Sequence, residues 1–194
     1  MMAKARVGVL ISGRGSNLEA LIEAARDPNY PAEIVCVLSN RADAKGLDLA
    51  AAAGIATTVI DHKAYASREA FDAAVNAYLQ SQACAIVACA GFMRVMTPAL
   101  IEPWRGRMLN IHPSLLPAYQ GLHTHARALA DGAKMHGCTV HLVSEDLDGG
   151  PVLAQAHVPV LSGDTPKTLA ARVLGEEHRI YPKAVAELAM QIML

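Results

Sequence analysis

The sequence is poor in aromatic residues and contains no long apolar segment. Of its 194 residues, 4% are aromatic and 53% are hydrophobic, so the core must consist mainly of aliphatic side chains. That composition is typical of a compact α/β protein. No stretch approaches the ~20 apolar residues that span a bilayer, and the apolar run at 7–11 is shorter than the roughly 7- to 15-residue core of a signal peptide. We therefore expect a cytoplasmic protein with no membrane partner.

An excess of charge of either sign is also absent. The formal net charge is -1 and the sequence pI is about 6.7, and the basic residues are scattered, which argues against a nucleic-acid partner. Any bound phosphate should therefore belong to a small molecule. The four cysteines, Cys36, Cys84, Cys89 and Cys138, lack the close pairing of a zinc site and are expected to be reduced.

The chain length fits one domain, residues 1–194, in which strand and helix patterns alternate. Apolar runs predict strands at 7–11, 33–38, 55–60 and 85–90, and helices follow at 18–25, 44–53 and 67–80. Such repeats predict a mostly parallel twisted sheet with helices on both faces, and later runs at 138–143 and 152–160 predict an antiparallel strand pair. The predicted fold class is α/β, single-domain and Rossmann-like, and ligands of such sheets bind beyond the carboxyl ends of the strands.

A short strand ends in two polar side chains, Asn110 and His112. Alternation along a strand puts both on one face, and Pro113 should stop the strand and present the pair at a sheet edge or in a crevice. An amide and an imidazole suit acyl transfer, because the amide donates to an oxyanion while the imidazole moves a proton. The alternative is a hydrogen-bonded pair with a purely structural role.

A glycine-rich turn, Gly13-Arg14-Gly15, joins the first strand to the first helix. Ser16 and Glu19 have capping-box spacing, which predicts the helix start at this point. A glycine loop before a helix N-terminus forms an anion cradle, for which a phosphate is the natural ligand. The motif lacks the third glycine of the dinucleotide fingerprint and the Gly-Lys-Ser/Thr of a P-loop, so a plain tight turn is the alternative.

Several later segments have both a functional and a structural interpretation. The apolar loop 91–98 is either the wall of a pocket for a flat heteroaromatic ligand or part of the core. Asp148 is either a partner for an imidazolium or an ordinary turn aspartate. His123, His125 and His141 lack the spacing of a metal site and suit hydrogen bonding to the site better, so we expect no metal.

The last helix is predicted to start at Thr165-Pro166 and to bury a stripe that includes Leu169, Val173 and Ile180. The segment 176–178 interrupts this stripe, and Tyr181-Pro182 is a possible kink. The carboxylates of the segment 176–178 are expected on a solvated face unless they reach the cleft of the glycine loop.

Four motifs together resemble the phosphoribosylglycinamide formyltransferase family, folate-dependent enzymes of purine synthesis. They are SGRGSNL at 12–18, GFMR at 91–94, LNIHPSLLP at 109–117 and LDGGP at 147–151. The third motif marks the wider formyltransferase and hydrolase superfamily, and the form of the glycine loop narrows the resemblance to this family. The likeness extends from Val7 to about Pro182.

The resemblance implies formyl transfer from 10-formyltetrahydrofolate, as co-substrate, to the amine of glycinamide ribonucleotide, with no metal. Asn110 would hold the oxyanion, His112 would act as general acid, and Asp148 would keep His112 protonated. The implied contacts to glycinamide ribonucleotide are Gly15, Ser16, Asn17, Leu174, Gly175, Glu176 and Glu177. The implied folate contacts are Arg68, Met93, Arg94, Val95, Met96, Asn110, Ser144, Glu145, Asp146, Leu147 and Asp148.

The sequence departs from the family pattern at two places. Ala118 stands where many relatives carry a basic residue, and Gln120 replaces a common proline. The expected partners are the two small-molecule substrates, without nucleic acid, and the expected assembly is a monomer or a homodimer. The alternatives are a formyltetrahydrofolate hydrolase and a noncatalytic module that binds a phosphorylated ligand.

Overall fold

The computed structural model describes residues 3–194, which form one seven-stranded sheet covered by helices. The helices are α1 (Ser16–Ala25), α2 (Gly46–Ala52), α3 (Arg68–Ser81), α4 (Pro98–Ile101), α5 (Thr124–Ala130) and α6 (Pro166–Ile192). The strands are β1 (Ala5–Ile11), β2 (Ala32–Ser39), β3 (Ala56–Val59), β4 (Ile86–Cys89), β5 (Met108–His112), β6 (Met135–Leu142) and β7 (Val152–Pro159).

The strand order is β3-β2-β1-β4-β5-β6-β7. Neighbours from β3 to β5 pair in parallel, whereas β5–β6 and β6–β7 are antiparallel. The predicted fold class, with its mostly parallel sheet and antiparallel final strands, is confirmed. The chain winds from β1 outward to β3 and then resumes on the other side at β4, so the order reverses between β1 and β4. Ligands of open α/β sheets bind at such a point.

Apolar side chains fill both faces of the sheet, because the central strands are buried on each side. One cluster packs α1 and α6 against the sheet, and it includes Leu18, Val173 and Tyr181. The other packs α3 and α4 against the opposite face, and it includes Phe71 and Leu100. Helices therefore cover both faces, as the alternating pattern predicts.

Two local predictions need correction. The first turn of α1 carries no capping box, because Gly15 is the N-cap residue, with φ 80°, and no side chain caps the helix. Ser16 is already helical, so it lies one position too late for that role. The predicted helix at 44–53 begins only at Gly46, whose amide instead donates to Gly13 O at 3.1 Å.

The last helix begins as predicted, with Thr165 as N-cap and Pro166 in the first turn. It continues as one helix to Ile192, so Pro182 does not end it. The stripe of Leu169, Val173 and Ile180 is buried, and Glu177 shares that buried side. Glu177, which is 7% exposed, is thus the exception that the sequence analysis allowed, because its carboxylate contacts Asn17 directly after the glycine loop.

Candidate functional site

The strand β5 presents Asn110 and His112 at its carboxyl end, where Pro113 stops the ladder. The neighbours β4 and β6 flank β5 on both sides, so the pair faces a crevice rather than an edge of the sheet. Antiparallel pairing with β6 sets Asn110 opposite His141, because the two are register partners. The β6 strand therefore adds a second imidazole to the predicted pair.

His112 has a partner at each ring nitrogen. Its Nε2 lies 3.0 Å from Tyr119 O, and its Nδ1 lies 3.4 Å from Asp148 Oδ2. A carbonyl oxygen and a carboxylate oxygen both accept hydrogen bonds, so each ring nitrogen of His112 faces an acceptor. His112 is only 6% exposed, so these contacts are shielded from solvent.

Asp148 is brought to His112 by the loop between β6 and β7. Its backbone has φ 52°, a left-handed conformation that aspartate tolerates better than most residues. The Asp148 Oδ2 atom accepts a hydrogen bond from Gly121 N at 2.9 Å, which fixes the carboxylate between two loops. The turn interpretation and the pairing interpretation of Asp148 are thus both consistent with the structure.

His141 orients the amide of Asn110. Its Nδ1 lies 2.9 Å from Leu142 O, so that nitrogen carries the proton. Burial lowers the pKa of His141 and favours the neutral ring, so Nε2 is left as an acceptor. Asn110 Nδ2 lies 3.3 Å from that atom and can donate one hydrogen to it. The second amide hydrogen remains available to a ligand.

A cleft with a cavity volume of about 100 Å³ opens beside Asn110 and is continuous with solvent. That volume is below the roughly 300–1,000 Å³ of sites that enclose a small molecule, so a larger ligand would extend out of the cleft. Its walls come from the carboxyl ends of β4 and β5, the end of β6 and the loops that follow β4 and β6. The lining residues are Cys89, Phe92, Arg94, Val95, Met96, Ile101, Asn110, His141, Val143, Ser144, Glu145, Asp146, Leu147 and Asp148.

The glycine loop lies at the carboxyl end of β1 and leads into α1. Gly15 packs against α2 so closely that a Cβ atom would lie 2.7 Å from Gly46 Cα. Only glycine fits there, since its φ of 80° also disfavours other residues. The first amides of α1, from Ser16 and Asn17, have no partner within the helix itself and suit an anion.

Glu177 connects α6 to this loop. Its Oε2 accepts a hydrogen bond from Asn17 Nδ2 at 2.7 Å. Burial raises the pKa of Glu177, while the Asn17 hydrogen bond and the nearby charges of His178 and His112 act in the opposite direction. The Asn17 contact thus joins α6 to the start of α1, directly after the glycine loop.

Most residues implied by the resemblance fall into these two areas, and a few do not. Arg68 is exposed at the start of α3, and Met93 is exposed beside the cleft without lining it. In α6, Leu174 is partly buried, Gly175 is exposed, and Glu176 binds Arg179. Their roles as ligand contacts stay predictions.

Two residues important to the geometry lie outside the expected set. His141 entered only as a general hydrogen-bonding histidine, although its position opposite Asn110 follows once β5 and β6 are paired. Ser12 joins the glycine loop to the loop after β4, since its Oγ accepts from Met93 N at 2.8 Å. The position of Ser12 directly after β1 is the sequence signal that could have identified it, because residues at the carboxyl ends of parallel strands meet at one edge of the sheet.

The chemistry available here is that of polar side chains. Within residues 3–194, no group of three or more His, Cys, Asp or Glu side chains is arranged to hold a metal ion. The described part of the chain also has no helix of the length and hydropathy that would cross a bilayer. Asn110 and Asp148 line one cleft, and the His112 imidazole contacts Asp148 at 3.4 Å, so an amide donor and an imidazole are available to stabilise an oxyanion.

Comparison with known proteins identifies the family. The profile described as formyl transferase matches residues 5–185. The chain belongs to the formyl transferase family. Phosphoribosylglycinamide formyltransferase of Escherichia coli (strain K12) is 49% identical over 181 residues, covering 93% of this chain and 85% of that protein. The resemblance seen in the sequence motifs is thereby confirmed.

Other members of the formyl transferase family give the same result. The crystal structure of phosphoribosylglycinamide formyltransferase from Brucella melitensis has a TM-score of 0.92 and 57% identity, covering 96% of each chain. The human trifunctional purine biosynthetic protein adenosine-3 is 50% identical over 186 residues, covering 96% of this chain and 18% of that protein. This chain thus spans less than a fifth of the length of the human protein.

Proposed function

We propose that this formyl transferase family member transfers the formyl group of 10-formyltetrahydrofolate to the amine of glycinamide ribonucleotide. The observation that carries the proposal is that Asn110 and Asp148 line one cleft and that Asp148 Oδ2 lies 3.4 Å from His112 Nδ1. Relatives that are about half identical to this chain over the aligned residues are named phosphoribosylglycinamide formyltransferase and trifunctional purine biosynthetic protein adenosine-3.

The cleft beside Asn110 suits the folate. Phe92, Val95 and Met96 provide apolar walls for a flat ring system, and the loop at 144–148 adds polar groups. A mostly apolar pocket with a few oriented polar groups is typical of such ligands. Under this proposal the ring lies between the loops after β4 and β6, with its formyl group directed toward Asn110.

The glycine loop suits the phosphate of glycinamide ribonucleotide. Backbone amides of Gly15, Ser16 and Asn17 would hold the anion at the positive end of the α1 dipole. Glu177, fixed by Asn17 at 2.7 Å, would contact the same substrate nearer the amine. Under this proposal the substrate extends from the glycine loop toward the β5 pair, and its amine reaches the formyl carbon directly.

The reaction proceeds in one active site without a covalent enzyme intermediate. The substrate amine attacks the formyl carbon, a C–N bond forms, and the carbonyl oxygen becomes an oxyanion that accepts the free hydrogen of Asn110. The attacking nitrogen then loses a proton, the tetrahedral adduct collapses with cleavage of its bond to N10 of the folate, and a proton is delivered to N10, so that no net proton is gained or lost. Tetrahydrofolate and the formylated amide leave.

His112 would supply the positive charge and the proton, and Asp148 would stabilise the charged ring. In the present arrangement Tyr119 O occupies His112 Nε2 at 3.0 Å. Proton donation from that nitrogen therefore requires the Tyr119 contact to open, or a relay through the carboxylate side. Oligomeric state, location in the cytoplasm and the absence of a nucleic-acid partner stay predictions.

The absorbance change of the folate on formyl loss tests the proposal. The protein is mixed with 10-formyltetrahydrofolate, with and without glycinamide ribonucleotide. We expect turnover only when both are present. Turnover without the amine would instead indicate the hydrolase, and no turnover in either mixture would indicate the noncatalytic module. The named relatives do not favour these two alternatives.

A further inference from the structure

The loop between β4 and α4, residues 91–97, forms one wall of the cleft and is tied down at both ends. At its start, Ser12 N donates to Gly91 O at 3.0 Å, and Ser12 Oγ accepts from Met93 N at 2.8 Å. The Ser12 hydroxyl in turn donates to Asn40 Oδ1 at 2.6 Å. Backbone and side chain of one buried serine thus fix the first residues of the loop.

The other end of the loop is held by a carboxylate from a different part of the chain. Asp72 Oδ2, on α3, accepts a hydrogen bond from Thr97 N at 2.6 Å. Thr97 is the N-cap of α4, so neither a helix nor a strand supplies a partner for that amide. Between the two tethers lie Arg94, Val95 and Met96, which line the cleft.

Asp72 is an unusual residue for a core position. Its side chain is 0% exposed, and burial raises the pKa of its carboxyl, an effect that the Thr97 hydrogen bond and the positive charges of Arg68 and Arg94 oppose. A buried carboxylate costs stability unless its hydrogen bonds compensate. Within residues 3–194, Asp72 Oδ1, Thr97 Oγ1 and Arg94 Nε are all buried without a hydrogen-bond partner. The hydrogen bonds of this polar cluster therefore offset only part of the free-energy cost of burying it, so a purely structural role does not account for it.

The same helix makes a second, partly buried side-chain contact that does not involve the cleft. Asn76, one turn after Asp72, accepts a hydrogen bond at Oδ1 from Trp104 Nε1 at 2.9 Å. Trp104 belongs to the core of that face and is not among the residues that line the cleft. Asn76 is thus a matched control, because it makes a comparable hydrogen bond from the same helix to a different target.

We propose that Asp72 is a positioning residue for the folate side of the site: by accepting the Thr97 amide, it fixes the loop that carries Arg94, Val95 and Met96. Asp72 does not line the cleft, so it acts through the loop and not on the ligand. The inference rests on the proposed function, because the affected ligand is the folate. Loss of the tether should weaken folate binding and spare the phosphate site at the glycine loop.

Steady-state kinetics of Asp72→Ala, Asp72→Asn and the control Asn76→Ala test this role. For Asp72→Ala we expect the KM for 10-formyltetrahydrofolate to rise about tenfold, as for loss of a hydrogen bond to a charged group. The KM for glycinamide ribonucleotide should stay within about twofold, since the glycine loop is untouched. Asp72→Asn retains an acceptor oxygen and should recover part of the loss. Asn76→Ala should lower the Tm without changing either KM.

Hydrogen exchange at the Thr97 amide supplies a second measurement that needs no variant. In the wild-type protein this amide should exchange far more slowly than an unprotected one, because the Asp72 carboxylate holds it. The inference is overturned if Thr97 exchanges freely. It is also overturned if folded Asp72 variants raise both KM values equally, or raise neither.

Failure of the inference can be distinguished from failure of the proposed function. If the wild-type protein shows no turnover with both substrates, the proposed function is wrong, and the role of Asp72 for the folate falls with it. If the wild-type protein turns over normally and the variants lack the KM difference, only the role of Asp72 is wrong. Should Asp72→Ala not fold, Asp72→Asn and the Thr97 exchange rate still decide the question.

Discussion

Replacing Gly15 with alanine should impair the phosphate site more than the folate site. The residue has φ 80°, and a Cβ atom would lie 2.7 Å from Gly46 Cα, a backbone atom that cannot rotate away. A left-handed alanine costs about 1–2 kcal/mol, and forcing backbone segments apart costs about 1–3 kcal/mol more. We therefore expect a loss of roughly 2–5 kcal/mol in the free energy of unfolding.

The functional effect follows from where the backbone must move. Relieving the contact with Gly46 shifts the glycine loop by several tenths of an ångström, and the amides of Ser16 and Asn17 move with it. Misaligned donors should raise the KM for glycinamide ribonucleotide about tenfold, equivalent to about 1.4 kcal/mol of lost binding. The KM for the folate should rise less, because Ser12, which holds the start of the cleft loop, lies directly after β1 and not at the Gly15 contact with α2.

Gly54→Ala is the matched control. Gly54 has a similar φ of 73°, yet a Cβ atom there meets no heavy atom within 4 Å. Gly54→Ala should therefore lower the free energy of unfolding only by the cost of a left-handed alanine, about 1–2 kcal/mol, and leave both KM values unchanged. Thermal unfolding and two-substrate kinetics of the two variants provide the comparison. If Gly15→Ala is no less stable than Gly54→Ala, or raises both KM values alike, the argument from close approach is wrong.

Three further substitutions test the acid, its partner and the buried carboxylate. His112→Ala should lower kcat by about two orders of magnitude or more through loss of the general acid, and wild-type turnover in a stopped-flow assay would contradict that role. Asp148→Asn should lower kcat by roughly tenfold to a hundredfold, because the charged imidazole loses its carboxylate partner, whereas an unchanged kcat would argue against the pairing. Glu177→Gln should raise the Tm at pH 7, because burial raises the pKa of Glu177 above its unfolded value and the ionised form is destabilised in the folded state. That advantage should shrink as the pH falls through the raised pKa, so a Tm difference that is constant with pH would refute this argument. The same variant should also raise the KM for glycinamide ribonucleotide, if Glu177 contacts that substrate.

The fold follows from the sequence because its signals are local. Continuous aliphatic runs such as β1 and β4 need burial on both faces, and the helical stripes between them supply the covering surfaces. The end of β5 was also predictable from the sequence, because Pro113 cannot extend the ladder and strand alternation puts Asn110 and His112 on one side. A local rule failed at the start of α1, where the close contact of Gly15 with Gly46 sets the helix entry instead of the Ser16 side chain.

The sequence by itself determined the strand-helix alternation, the polar pair at the end of β5 and the glycine turn before α1. Only the tertiary structure decided which distant groups meet them: Asp148 at His112, His141 at Asn110, and Glu177 at Asn17. The physical reason is the distance along the chain over which each kind of interaction acts. Backbone preferences and hydrophobic periodicity act over a few residues, whereas these contacts depend on strand register and helix packing, which bring together segments that no local pattern links.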